Sequence, residues 1–285
     1  MDYRFSDDLL LALDLLPCSK KELAAQLDTS VMTLNRWIKC ASQPRKESLA
    51  AFYDHLYNQG VDLNGIKAQL YREELSRLSE TLLFHGSKSG ITGTLSVTAS
   101  RANNDFGQGF YCGENLMQSA MFVTTFPSSS LYMIAFNPAG LTPLSFAVDQ
   151  TWMLTIASFR GRLKNYEDHP LIQSLRQQVE QADYLIAPIA DNRMYEVIDS
   201  FIEGEITDLQ CEHSLSATNL GQQYVFTTPQ ALHQVRILEH CFLGTVERNR
   251  YEAHRSESTR LGLAKAKAAR RQYRGQGLYI EELLS

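Results

Sequence analysis

Asp105–Tyr111, DFGQGFY, sets two glycines on either side of Gln108 and follows the second at once with Phe110 and Tyr111. Glycine lets a backbone turn tightly or approach another group closely, so the stretch predicts a turn that delivers aromatic rings beside bare backbone. That surface suits a flat heterocycle. Upstream, Leu82–Ser87, LLFHGS, has three apolar residues that predict a buried strand ending at His85, Gly86 and Ser87, where polar groups and free amides would be presented.

Working outward, LYMIAF at Leu131–Phe136, the run Tyr184–Ile189 and the run Tyr224–Thr228 predict strands, and Leu171–Ala182 predicts an amphipathic helix. Strands and helices come mixed, without regular alternation, which favours α+β over a doubly wound sheet. The Asp-Phe-Gly triplet lacks the glycine-rich loop, VAIK lysine and HRD loop of a protein kinase. Gly107 and Gly109 do not extend to a GxGxxG before a helix, so a dinucleotide fold of the Rossmann type is excluded.

The N-terminal part reads differently. Phe5–Leu16 predicts a short helix with Asp7 and Asp8 in its first turn and Pro17 ending it. In SKKELAAQLDTSVMTLNRWIK, Ser19 and Glu22 form a capping-box pattern, and Ala24, Leu27, Leu34 and Trp37 fall at core spacing across a turn at Asp28–Ser30. Asp28 sits where the turn favours glycine, and aspartate tolerates left-handed backbone better than most residues. Leu49–Tyr57 and Leu63–Leu78 predict further helices, with Gly60 and Gly65 as punctuation.

Charge is segregated along the chain. Residues 81–246 hold 8 Lys/Arg against 15 Asp/Glu, whereas Arg248–Arg274 hold 9 Lys/Arg against Glu252 and Glu257 alone. A long basic helix is therefore predicted over residues 249–273, with an apolar tail after it. The total of 285 residues with 44% hydrophobic content suits one or two domains with a sizeable core. Five scattered cysteines without a CxxC pair argue against a disulfide framework and a zinc site, so no metal is expected. The first residues carry acids where a signal peptide carries bases, and no apolar run reaches 18 residues, which predicts a cytoplasmic protein without a membrane span.

Together, LLFHGSKSGITGTLS, GQGFYCGENLMQSAMF, ADYLIAPIADNRMY at 182–195, EGEIT at 203–207 and QQYVFTTPQAL at 222–232 resemble the ADP-ribosyltransferase superfamily. The likeness is to its His-Tyr-Glu branch, which includes the poly(ADP-ribose) polymerases and diphtheria-like toxins. A closer resemblance is to a bacterial family of unsettled function with HGS, DFGxGFY and EGEIT motifs. It covers roughly residues 82–236.

The resemblance implies a split β-sandwich with helices over residues 79–247, preceded by an all-α domain over 1–78 and followed by a basic helix and tail over 248–285. It implies NAD as substrate, with attack on the nicotinamide ribose and transfer of ADP-ribose to an acceptor. His85 would meet the adenosine ribose, Gly86 would clamp the carboxamide with Ser87 assisting, and Tyr111 would stack on nicotinamide. Gly109 and Phe110 would shape that wall, and Asp105 would order the loop. The position of the superfamily's catalytic Glu falls on Gln223, with Gln222 one place off. Losing that charge typically costs about 3 kcal/mol, or roughly a hundredfold in rate. Glu203 and Glu205 in FIEGEIT are candidates to activate the acceptor, the alternative being a solvated turn.

The N-terminal segment resembles a helix-turn-helix of the phage-repressor type, which implies DNA as a partner. Ser30, Thr33 and Asn35 are then candidates for base edges, and Arg36 and Lys39 for phosphate. Residues 1–80 carry 10 bases and 12 acids, so a purely structural or interaction module is the alternative. The basic helix implies RNA, DNA or a protein partner such as an antitoxin. The functional expectation is a mono-ADP-ribosyltransferase toxin or effector of a toxin–antitoxin or phage-defence system. A regulator with a silent NAD-sensing domain and an NAD glycohydrolase are the alternatives.

Overall fold

The computed structural model describes residues 3–126, 129–190, 192–217 and 221–285, with backbone alone for 192 and 193. The chain is α+β. In order, its elements are α1 (Phe5–Leu15), α2 (Lys20–Gln26), α3 (Val31–Ile38), α4 (Lys46–Asn58), α5 (Leu63–Ser76), β1 (Thr81–Ser87), β2 (Phe110–Gly113), α6 (Leu116–Val123), β3 (Ser130–Phe136) and β4 (Pro143–Ser145). Then follow α7 (Gln150–Phe159), α8 (Pro170–Gln181), β5 (Tyr184–Pro188), α9 (Asn192–Ile202), α10 (Asp208–Ser216), β6 (Gln222–Phe226), α11 (Pro229–His233), β7 (Val235–Cys241), α12 (Thr245–Gln272) and α13 (Ile280–Leu283). Among the described residues no helix is long and apolar enough to cross a membrane.

The chain divides into two compact units, and neither is continuous in sequence. The first holds Met1–Ile91, Ser119–Phe136 and Arg236–His254, and the second holds Thr92–Gln118, Asn137–Val235 and Arg255–Ser285. The backbone returns to the first unit twice.

In the first unit the N-terminal helices close over Phe5, Leu9, Leu23, Leu34, Phe52 and Leu56, and Phe242 joins the same core from after β7. Ser19 and Glu22 form the capping box that starts α2. Asp28 turns the chain between α2 and α3 with φ of 49°, in the left-handed region that aspartate enters more readily than most residues. Strand β1 pairs antiparallel with β3, Thr81 opposite Phe136 through Ser87 opposite Ser130, and β7 lies on the far side of β3. The strand ends at Ser87, as LLFHGS predicts, but its last three residues are paired in the ladder and do not present free amides. Gly86 pairs with Leu131 inside the ladder, and it is a glycine because α6 packs so closely on β1 that a Cβ there would lie 2.7 Å from Val123 and 3.1 Å from the Ser119 carbonyl oxygen.

In the second unit the strand order is β4-β5-β6-β2. Strand β4 runs parallel to β5, while β5–β6 and β6–β2 are antiparallel. Helices α7, α8, α9 and α10 cover this sheet through one core that includes Phe106, Trp152, Ile156, Leu185, Phe201 and Val225. Helix α7 is buried almost throughout, as a helix that is hydrophobic all round must be. Ile280 and Leu284 bring the C-terminal tail into the same core.

Candidate active site

Strand β2 carries the end of DFGQGFY, and its register on β6 sets Phe110 opposite Phe226, Tyr111 opposite Val225 and Gly113 opposite Gln223. The chain enters β2 through a turn at Gly107, whose φ of 76° suits glycine. Gly109 is required for a different reason. A Cβ there would lie 2.8 Å from Val225 and 3.0 Å from the Phe226 carbonyl oxygen, so its close neighbour is β6 rather than a ligand. Phe110 is buried, with its ring 6.3 Å from that of Phe226.

Tyr111 is half-buried and its hydroxyl closes the loop that precedes it. The hydroxyl donates to the Gly107 carbonyl oxygen at 2.8 Å and accepts from the Phe106 amide at 3.2 Å. Burial is the main cause that pushes its pKa above the usual tyrosine range, so the phenol stays neutral.

Asp105 is buried, and both carboxylate oxygens are engaged. The Arg160 guanidinium, at the end of α7, donates to Oδ1 from Nε at 2.9 Å and also from a terminal nitrogen. Gln223 on β6 donates from Nε2 to Oδ2 at 3.0 Å and to the Pro188 carbonyl oxygen at the end of β5 at 3.1 Å. Arg160 lies over the Tyr195 ring of α9, 3.8 Å from its centroid, a stacked arrangement that a planar guanidinium favours. The loop, β6 and the end of α7 thus meet at one carboxylate, and α9 stacks on its cation. Sequence reading missed Arg160, Pro188 and Tyr195. A carboxylate destined for burial needs a cation, but nothing in SFRGR distinguishes Arg160 from Arg162 as that cation.

Of the two glutamines, Gln223 is buried and Gln222 is exposed. Neighbouring strand residues face opposite sides, and the register selects Gln223. Glu203 and Glu205 flank Gly204, which turns the chain after α9 with φ of 73°. Both are exposed: Glu203 accepts from Arg162 at 2.8 Å, and Glu205 lies 4.0 Å from Arg270. These are the partners of a solvated turn. Asp191, within the 182–195 motif, lies outside the described residues.

His85, Gly86 and Ser87 belong to the first unit. His85 is half-buried, its ring 6.3 Å from that of Tyr132, and the Ser87 hydroxyl donates to the Gly90 carbonyl oxygen at 2.9 Å.

On α3, the hydroxyl of Ser30 accepts from the Thr33 amide at 3.1 Å, and the two hydroxyls are 2.9 Å apart. This is N-cap chemistry. Asn35 accepts from Lys20 at 3.2 Å, whereas Arg36 and Lys39 are exposed, as are Val31 and Met32. On α12, Ala266 and Ala269 are buried, while Arg260, Lys267 and Arg271 are exposed at spacings of seven and four residues, which places them on one helical face.

Residues 81–237, over half of the chain, match the family described as a protein of unknown function, DUF3990. The chain belongs to this family. The matched segment begins at the first residue of β1 and ends two residues into the span assigned to the first unit's last segment, so it takes in both HGS and the Asp105–Gln223 contact. No curated protein and no solved structure matches the chain.

Proposed function

We propose that the DUF3990 segment is an NAD-dependent mono-ADP-ribosyltransferase of the His-Tyr-Glu type, with Gln223 in the place of the glutamate. The observation that supports this most directly is the hydrogen bond between Asp105 and Gln223. These residues stand 118 positions apart, in the first and last motifs of the second unit, and the fold makes them partners around Tyr111. In this reading the half-buried Tyr111 ring packs against nicotinamide, and its hydroxyl, held by Gly107 and Phe106, fixes the ring's orientation. Gln223 accepts a ribose hydroxyl. Without a glutamate carboxylate, elongation into polymer is not expected. Glu203 and Glu205 keep a role only as surface groups that meet an acceptor.

A cytoplasmic toxin or effector fits such an activity, with the N-terminal helices serving DNA contact or autoregulation and α12 serving a nucleic acid or an inhibitor protein. The exposed Arg36 and Lys39 favour one second reading, a DNA-binding regulator whose domain senses NAD without transfer.

The test is incubation of the intact protein and of Tyr111→Ala with labelled NAD and bacterial lysate, before and after nuclease or protease. Label on macromolecules with the parent protein alone is the expected result, and the digestion that removes it identifies the acceptor class. Nicotinamide release without labelling would point to a glycohydrolase. NAD binding with neither release nor transfer would support the sensing regulator, and equal release by both proteins would overturn the role of Tyr111.

A further inference from the structure

The side-chain amide of Gln223 is set between two groups that can only accept. Asp105 Oδ2 and the Pro188 carbonyl oxygen lie 3.0 and 3.1 Å from Nε2, and neither offers a proton to the amide. This fixes which end of the amide points where. Both Nε2 hydrogens are committed to the protein. Among the described residues Oε1 has no hydrogen-bond partner, and it is not one of the fully enclosed polar atoms. The residue is therefore buried while its carbonyl oxygen stays available.

We infer that Asp105 is a positioning residue for Gln223, holding the amide so that Oε1 is presented as the acceptor for a ligand hydroxyl. The inference deepens the transferase reading and rests on it for the identity of that ligand, a ribose hydroxyl of NAD. An N–H donated to a carboxylate polarises the amide and strengthens its carbonyl as an acceptor. Asp105 thus lends part of its charge to an uncharged side chain. A glutamate at 223 would not improve this site, because its carboxylate would face Asp105 Oδ2 and the Pro188 carbonyl with no proton between them. Arg160, already committed to Asp105 Oδ1, is the cation at the cluster. Tyr111 and Tyr195 also feel Asp105, and burial, the largest cause in both, raises their pKa, so they remain neutral across the acid-to-neutral range.

Two measurements on the full chain decide it. The first is melting temperature against pH for the parent protein, Gln223→Glu, Gln223→Leu and Asp105→Asn/Gln223→Glu. In Gln223→Glu the folded state gains from binding one proton between two carboxyls. Its deficit is therefore smallest near pH 5 and grows toward pH 8. Gln223→Leu shows a deficit that does not vary with pH, and Asp105→Asn added to Gln223→Glu abolishes the growth. A deficit in Gln223→Glu that stays flat with pH would overturn the positioning.

The second is NAD affinity by calorimetry for Asp105→Asn, Gln223→Leu and their combination. Each single change is expected to weaken binding about tenfold, and the pair no further than the worse single. A roughly hundredfold loss in the pair would show that Asp105 acts independently of Gln223 and would overturn the inference. Failure of the parent protein to bind NAD would sink the transferase reading, and the melting profiles alone would then decide the role of Asp105.

Discussion

Each unit buries an ionic cluster, and the two clusters are finished differently. In the first unit Lys67 of α5 reaches both oxygens of Asp8 at 2.9 and 3.0 Å and also Glu239 of β7. Tyr53 donates to Asp8 as well, so one ammonium serves two carboxylates and a tyrosine hydroxyl adds a further donor to one of them. In the second unit Asp105 has Arg160 and Gln223, and the last member leaves a carbonyl oxygen without a partner among the described residues. A closed cluster is a structural joint. One with an acceptor to spare has something left to offer a ligand, and that difference, rather than burial of charge itself, sets the second unit apart.

The closed cluster should be the more costly to break. Burial alone would lower the pKa of Lys67, but Asp8 and Glu239 override it and hold it raised, so the lysine is charged at any ordinary pH. Its contribution is fully present below the unfolded lysine pKa and is lost only in strong alkali. Lys67→Met leaves two carboxylates buried with no cation, a change that typically costs about 3–5 kcal/mol. Urea unfolding at pH 7 checks this. A loss below about 1 kcal/mol would mean that the cluster is hydrated and not the joint described.

The same unit has a carboxyl whose titration falls within the ordinary pH range. Glu247 on α12 accepts from Asn64 at 3.1 and 3.2 Å and from Tyr251 at 3.1 Å, and burial is the main cause that raises its pKa to about 7. With a folded pKa above the unfolded one, the stability it permits is fully present below about pH 4.5 and is lost as pH rises through about 7. The loss approaches about 3 kcal/mol. Glu247→Gln should remove that slope, so the gap between variant and parent should widen from pH 5 to pH 7.5 in the variant's favour. Parallel stability curves would refute it.

These clusters also show how far the amino-acid sequence is legible. Helices with strong local signals stand close to their expected places: the Ser19–Glu22 capping box opens α2, and Leu171–Ala182 is met by α8 within one residue. The strand LLFHGS was legible in its extent, within one residue of β1, but not in why Gly86 is a glycine, because that requirement comes from α6, some 30 residues onward. The N-cap role of Ser30 toward Thr33 is not separable in sequence from base reading, since an N-cap residue and a base-reading residue have the same chemistry. At the candidate site Asp105, Tyr111 and Gln223 were legible through motifs. Arg160 was not, because what selects it is the burial of Asp105, a tertiary fact with no local pattern. The return of residues 119–136 and 236–254 to the first unit is equally invisible to composition.

The finest distinction between the clusters lies in the cation. Lys67 acts as a point charge with donors turned to two acids, whereas Arg160 aims two donors at one oxygen of Asp105 and lays its plane on Tyr195. Arg160→Lys keeps the charge but loses the paired donors and the stacked face. Its side chain is about one-fifth exposed, so water moderates the loss, which should be about 1 kcal/mol in urea unfolding. The effect on nicotinamide release should be larger in proportion, because a lysine allows Asp105 to turn and Gln223 to follow it. If Arg160→Lys lowers stability while release is unchanged, Arg160 is a joint like Lys67, and the second cluster is no more open to a ligand than the first.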